Sequence, residues 1–445
     1  MMYNKANTML KNNILDNTEN KISLIDNEVK EILEKYSDKS IEYFLNLIVF
    51  PSLDDSGDSI KKQKLYDFYQ KDDKNYIKTG NLAGFIRLDN KLDFRIKSRF
   101  GGEKDYFLQY MICKVFNVNI TNLAYSVSKS DELRVMALLL LPAYIMKAYR
   151  KGLFRSYKCF KRNDDKVRGA IDVARHIRQN PLFNGKIAYT SREYSYDNHI
   201  TQLLRHAIEY ARTLEIGKSL LSHNLELAKA LQEIECATPS YAIQRRNEII
   251  NTNKKPFSHP YYSEYADLQK LCLMILRQKG IDFTCNGNEN IQGIIFNTSW
   301  LWEEYLYSVI KPLGFKHPNN RKKLGKIDVF KTPNDFCEFH YYPDFYKENI
   351  VLDAKYKELD KNIKDNEKFT KDFEKMLIYM FLLKTKKGVF VYPSKDKKIN
   401  EAKLNGYGED LCVYSFFVPQ NSENLSDFCS SMEEEEKKLI NFING

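Results

Sequence analysis

The sequence predicts a mixed α/β (α+β) chain in two parts, a helical N-terminal region with one small sheet and then a C-terminal mixed β-sheet sandwiched by helices. Three observations carry this. Apolar residues recur at helical spacing through most of the first 285 residues, broken by one alternating stretch near 76–100. Beyond about residue 298, helical and strand patterns interleave. Within that second part, Tyr341–Lys357 reads YYPDFYKENIVLDAKYK, in which two short apolar runs flank the polar segment Tyr346–Asn349, a strand, turn, strand signal. Turn chemistry at Asn286-Gly287-Asn288 sets the boundary, so the expected parts are 1–285 and 286–445.

At 445 residues the chain exceeds one ordinary core. A hydrophobic content of 43% and an aromatic content of 13% exclude a disordered chain. The net charge of +10 fits a nucleic-acid partner without requiring one. Met1–Asn20 is polar and lacks the apolar segment of a secretory signal. The longest apolar run, Val135–Met146, contains Pro142 and falls short of the roughly 18 residues that a membrane span needs. The eight cysteines have no close pairs and no histidine at zinc-ligand spacing, which points to reduced thiols and a cytoplasmic protein.

The elements follow in order. Val29, Ile32 and Tyr36 sit at helical spacing, and Ile41, Phe44 and Leu47 extend the pattern to a second helix. Gly80–Phe100 alternates as a small antiparallel sheet, and Lys104–Phe116 is helical. Ser130 caps an apolar helix that ends near Gly152. Ile200, Leu203, Leu204, Ala207, Ile208 and Ala211 form the stripe of a core helix. Upstream of it Arg168, Arg175 and Arg178 cluster, and they read equally as a solvated face or as contacts to phosphate or an acidic partner. Further helices cover Leu220–Glu235 and Tyr262–Gln278, so the middle of the chain reads as mostly α. The second part then runs helix (298–312), strands (326–331, 338–345 and 350–356), helix (366–385) and strands (388–392 and 411–418), and the tail with Glu433–Glu436 reads as an exposed helix.

Side chains alternate along a strand, so Val351, Asp353 and Lys355 share one face and Leu352, Ala354 and Tyr356 the other. Asp344, after Pro343 on the neighbouring strand, reaches the same point. An isolated D-x-K triplet would read as a surface hairpin with scattered charges; here the two carboxylates and an ammonium converge at a strand end. That set suits phosphodiester hydrolysis, because hard oxygen ligands hold a divalent ion that still accepts phosphate oxygens, and an adjacent ammonium positions water and offsets charge. On the helix NTSWLWEEYLYSVIKPLGF, Glu303 borders the apolar stripe and Glu304 lies nearer solvent. Glu303 is the better third acid, though a helix-surface glutamate would look the same.

The P-D, then D-A-K, order resembles the PD-(D/E)xK nuclease superfamily, which implies a restriction-endonuclease-like C-terminal domain. More widely, LWEEYL, PDF, VLDAKY and DFEKMLIYMFLLKTKKGVFVYP, with RGAIDVARHIRQN, YSYDNHITQLL and TGNLAGFI upstream, resemble the McrC family, the nuclease subunits of McrBC-type 5-methylcytosine-specific restriction systems. The resemblance implies that Asp344, Asp353 and Lys355 are catalytic with Glu303 as the helix acid, that Asp344, Asp353 and Glu303 ligate Mg²⁺ or Mn²⁺, and that Lys375, Tyr379 and Lys357 contact DNA or support the site. The family often carries Gln where Lys375 stands. It also implies a hexameric AAA+ GTPase partner of the McrB type, stimulated by the N-terminal region. The chain has no G-x-x-x-x-G-K-[ST] loop of its own. Two other readings stay open: a non-catalytic assembly factor that uses the nuclease fold as a DNA clamp, and a stand-alone nuclease.

Overall fold

A computed structural model describes residues 8–9, 14–22, 26–44, 47–51, 58–89, 91–117, 132–182, 184–222, 224–276, 291–318, 320, 323–330, 339–358, 367–396, 399–404 and 410–445. Chain contacts divide it into two compact units, one of residues 1–133 with 287–445 and one of residues 134–286. The first 133 residues thus belong to one unit with the C-terminal part, and the middle forms the other.

The reason is a strand that the sequence pattern hid. Ile291–Asn297 runs antiparallel to Leu82–Leu88, with Ile294 opposite Phe85, and parallel to Leu47–Phe50, with Ile295 opposite Val49. Covered on both sides, its residues IQGIIFN read as one apolar run instead of an alternation. Close approach is built in at Gly84, whose φ is +150° and where a Cβ would lie 2.1 Å from the Ile294 carbonyl oxygen. Leu92–Lys97 completes the hairpin with Leu82–Leu88, as the alternation there predicts. Near the N-terminus Asn27–Tyr36 is the expected helix, but the second one is only a short 3₁₀ turn, Ile41–Tyr43, before the strand Leu47–Phe50. β-Branched and aromatic residues in LIVF outweigh the helical spacing there.

The second sheet of this unit has the order Phe345–Lys347, Ile350–Ala354, Lys387–Ser394, Asp410–Phe417, Ile399–Lys403. The three central strands are parallel and the two edges antiparallel. One face packs on helix Glu367–Leu383 through Val351, Met376, Met380 and Phe390. On the other, Trp302 of helix Thr298–Ile310 meets Phe416. The Asp353 strand is therefore buried on both faces, where the sequence suggested one apolar face. A single expected strand over 338–345 is split by Pro343: His340–Tyr341 pairs with Ile327–Asp328, and Phe345–Lys347 with the Asp353 strand. Helix Leu425–Asn444 is not simply exposed, because Glu435 and Glu436 are buried against the unit.

The second unit holds a helical core in which His199–Arg212 packs on Glu264–Leu276. It also carries a long hairpin, Ser156–Asp164 with Ile187–Ser195, and a short third strand, Ala170–Ile171. The sequence pattern predicts a mostly helical middle and misses this hairpin, whose first strand alternates only between half-exposed and exposed residues. Among the described residues no helix is long and apolar enough to cross a membrane. Cys113, Cys159, Cys236, Cys272, Cys412 and Cys429 are free thiols, while Cys285 and Cys337, the capping Ser130 and the turn at 286–288 lie outside the described residues.

Candidate active site

The hairpin Phe345–Lys347/Ile350–Ala354 turns through Glu348 and Asn349, with Phe345 opposite Leu352. Asp344 lies just before Phe345 and Asp353 just after Leu352, at the end of this ladder. The Asp344 carboxylate accepts the Ala354 N–H at 2.9 Å. Asp353 is 4% exposed, and its Oδ2 contacts the Lys355 ammonium. The Lys355 N–H donates to the Val391 carbonyl at 3.0 Å, which carries the parallel ladder one residue past the strand. Strand geometry thus brings Asp344, Asp353 and Lys355 together.

Electrostatics mark the same point. Burial pushes the Asp344 carboxyl well above the usual carboxylate range, the carboxylates of Asp353 and Glu303 push it further, and Lys355 with the Ala354 N–H pulls only part of the way back. Burial raises Asp353 as well, against the attraction of Lys355. For Lys355 burial works downward, but Asp353 and Asp344 outweigh it and hold the ammonium above its ordinary value. Two acids with too little positive charge between them are what a divalent cation would neutralise. Among the described residues no three carboxylate, imidazole or thiolate groups form a ready-made metal cluster. Two suffice for Mg²⁺, which takes one or two carboxylates and fills its shell with water and phosphate oxygens.

Glu303 lies close enough to raise Asp344, and its Oε1 is 3.8 Å from His317 Nε2; it does not join the two aspartates in one cluster. Glu304 accepts the Trp300 indole N–H at 3.1 Å and lies 3.6 Å from the same imidazole nitrogen. The other imidazole nitrogen, Nδ1, is 2.9 Å from the Asp344 carbonyl, and the ring packs between Tyr307 and Phe345. Nothing in the local sequence marks His317 as a link between the helix acids and the Asp344 turn.

Asp372 was also missed. It lies 3.6 Å from Lys355 and pairs with Lys357. It sits seven residues, about two helical turns, before Tyr379 on the same helix. Tyr379 is buried and donates to the Tyr342 carbonyl at 3.0 Å, fastening the chain just before Pro343. Lys375 is exposed and lowers the Asp353 carboxyl by its charge.

In the second unit, Arg175 is not a solvent-facing cation. Its guanidinium donates to the carbonyls of Arg162 and Tyr189 and pairs with Asp172 at 3.3 Å. Arg178 is exposed and donates to the Ala174 carbonyl, and Arg168 is exposed near the end of the hairpin.

A mixed sheet between helices, with two acids and a lysine at the end of one of its strands, defines a mixed α/β protein. The comparisons narrow the class: a family described as the McrBC 5-methylcytosine restriction system component matches residues 77–393, and the chain belongs to that family. No curated protein sequence matches it significantly. Among solved structures, it is similar to a half-complex from a tetradecameric assembly of Thermococcus gammatolerans McrB AAA+ hexamers with bound McrC, at 15% identity and a TM-score of 0.45, covering 96% of this chain and 100% of that one. It is also similar to the cryo-EM structure of the Thermococcus gammatolerans McrBC complex, at 16% identity and a TM-score of 0.31, covering 68% of this chain and 87% of that one.

Proposed function

We propose that the chain is the metal-dependent DNA endonuclease subunit of a modification-dependent restriction complex, working with a hexameric AAA+ GTPase that it stimulates. The single observation behind this reading is the convergence of Asp344, whose carboxylate accepts the Ala354 N–H, with Asp353 and the Lys355 ammonium in contact with it. Family membership supports the restriction context. The GTPase partner is proposed from the McrB hexamers named for the similar assembly.

Asp344 and Asp353 would hold Mg²⁺ or Mn²⁺, with Glu303 assisting from the helix. Such an ion supplies charge at a scissile phosphate and acidifies water. Lys355, in contact with Asp353, would stand as a cation beside the phosphate and orient the attacking water. Asp372 restrains the ammonium from its other side. The exposed Lys375 and the nearby Lys357 are assigned to backbone phosphates, contacts that position DNA without reading sequence. Base modification is then selected by the partner, and Arg168 and Arg178 are assigned to partner or phosphate contact.

The test is cleavage of methylated DNA by the assembled complex with Mg²⁺ and GTP. Asp353→Asn and Lys355→Ala should each lower the rate at least a hundredfold while GTPase stimulation stays at the wild-type level. Undiminished cleavage by either variant would sink the assignment, and wild-type complex that binds DNA without cutting would favour a clamp.

A further inference from the structure

Asp16 is fully buried, in the turn after the strand Ile14–Leu15. Its Oδ1 accepts the Arg99 N–H at 2.7 Å, and its Oδ2 accepts the Thr298 hydroxyl at 2.8 Å and faces the Arg99 guanidinium at 3.3 Å. Arg99, 7% exposed, donates from Nη2 to the backbone carbonyl of Tyr356 and lays its guanidinium over the Tyr356 ring, 4.7 Å from the centroid. The Tyr356 hydroxyl is 2.7 Å from Ser98 Oγ. Two positions give this network its meaning. Thr298 is the first residue of the helix that carries Glu303, and Tyr356 directly follows Lys355.

We propose that the buried Asp16–Arg99 pair is the positioning element of the site, locking the residue after Lys355 to the first turn of the Glu303 helix. The inference rests on the nuclease reading above. A buried ion pair is poor evidence of stability, because desolvating both charges roughly cancels their attraction. What it does supply is geometry. Asp16 holds Thr298 and Arg99 holds Tyr356, so the pair ties together two elements that carry site residues, and a nuclease site misplaced by about 1 Å loses on the order of a hundredfold in rate. Both Asp16 and Arg99 come from the N-terminal 133 residues, which form one compact unit with residues 287–445.

The test uses the full chain assembled with its GTPase partner. Asp16→Asn combined with Arg99→Gln removes the charges together, and Thr298→Val removes one hydroxyl at constant volume. Thr298→Val serves if the double variant does not accumulate as folded protein. Two readouts are compared, amide hydrogen exchange over residues 298–304 and 352–357, and steady-state cleavage of methylated DNA with Mg²⁺. The expected result is exchange at least tenfold faster in both segments and kcat at least tenfold lower with KM for DNA unchanged. Thr298→Ser should restore both. Exchange that stays at the wild-type rate in either segment overturns the lock. Faster exchange with kcat intact overturns its role in positioning the site. A wild-type complex that never cuts overturns the nuclease reading, while the exchange measurement still decides whether the lock exists.

Discussion

Asp344 precedes and Asp353 follows the last paired residues, Phe345 and Leu352, of a two-residue hairpin, and the Asp344 carboxylate accepts the N–H of Ala354, the neighbour of Asp353. A buried acid and a half-buried one placed so close repel each other, and Asp344 is raised by desolvation first and by Asp353 next. Without metal the pair therefore costs stability. Asp344→Asn keeps an acceptor for the Ala354 N–H and removes the repulsion, so it should raise stability in metal-free buffer by about 1 kcal/mol while abolishing cleavage. Thermal melts with and without millimolar Mg²⁺ check this. Mg²⁺ should raise the Tm of the wild type and leave that of the variant unmoved.

A second expectation concerns pH and the second unit. His206 is fully buried, its ring lies 4.6 Å from that of Tyr241, and burial, with the charges of Arg246, Arg245 and Arg205, holds it down to about 4. A depressed folded value means that the unfolded chain takes up the proton first. The neutral ring's contribution is complete above pH 6.5 and is lost as pH falls from 6.5 toward 4. Denaturant midpoints across that window should fall with acid by a slope approaching one proton, and His206→Phe should flatten the slope.

The division of the chain gives a third. Because Ile291–Asn297 is hydrogen-bonded between Leu47–Phe50 and Leu82–Leu88, residues 287–445 alone leave a buried strand without either neighbour. An apolar strand with two open edges aggregates. Expressed alone, that fragment should be insoluble or lack a cooperative transition. Co-expressed with residues 1–133, it should copurify as one folded unit with the circular dichroism of a mixed α/β protein. A soluble, cooperatively melting 287–445 fragment would refute the account of that strand.

These cases show what the sequence carried. Local rules worked where one pattern decided the outcome: the hairpin around Asp344 and Asp353, the Thr298–Ile310 helix and the Glu367–Leu383 helix all lie where alternation or helical spacing puts them. They failed where a distant partner decides. Ile291–Asn297 looks like neither an amphipathic helix nor an alternating strand, because segments more than two hundred residues away cover its edges. His317, Asp372 and the Asp16–Arg99 pair have no signal in their own neighbourhoods. Side chains that position a site are chosen by tertiary geometry, and only the folded chain reveals which of 69 Lys and Arg and 59 Asp and Glu are spent that way.

The C-terminal helix supplies the last prediction. The run Glu433–Glu436 has the look of a solvated, charge-paired surface, yet Glu436 accepts the hydroxyls of Tyr110 at 2.8 Å and Tyr305 at 2.9 Å and pairs with Lys114 at 3.0 Å. Those partners come from helix Tyr106–Val115 and from the helix that carries Glu303, so one carboxylate joins three helices. Glu436→Leu strands two buried hydroxyls and an ammonium. Hydrogen bonds to a charged group are worth about 1.5–3 kcal/mol each, and an orphaned buried donor costs about 1–3 kcal/mol, so the loss should reach at least about 3 kcal/mol. Glu436→Gln keeps an acceptor and should cost about half as much. Chemical denaturation of the three proteins orders them. If Glu436→Leu is as stable as the wild type, the carboxylate is not what holds the Tyr305 helix in place.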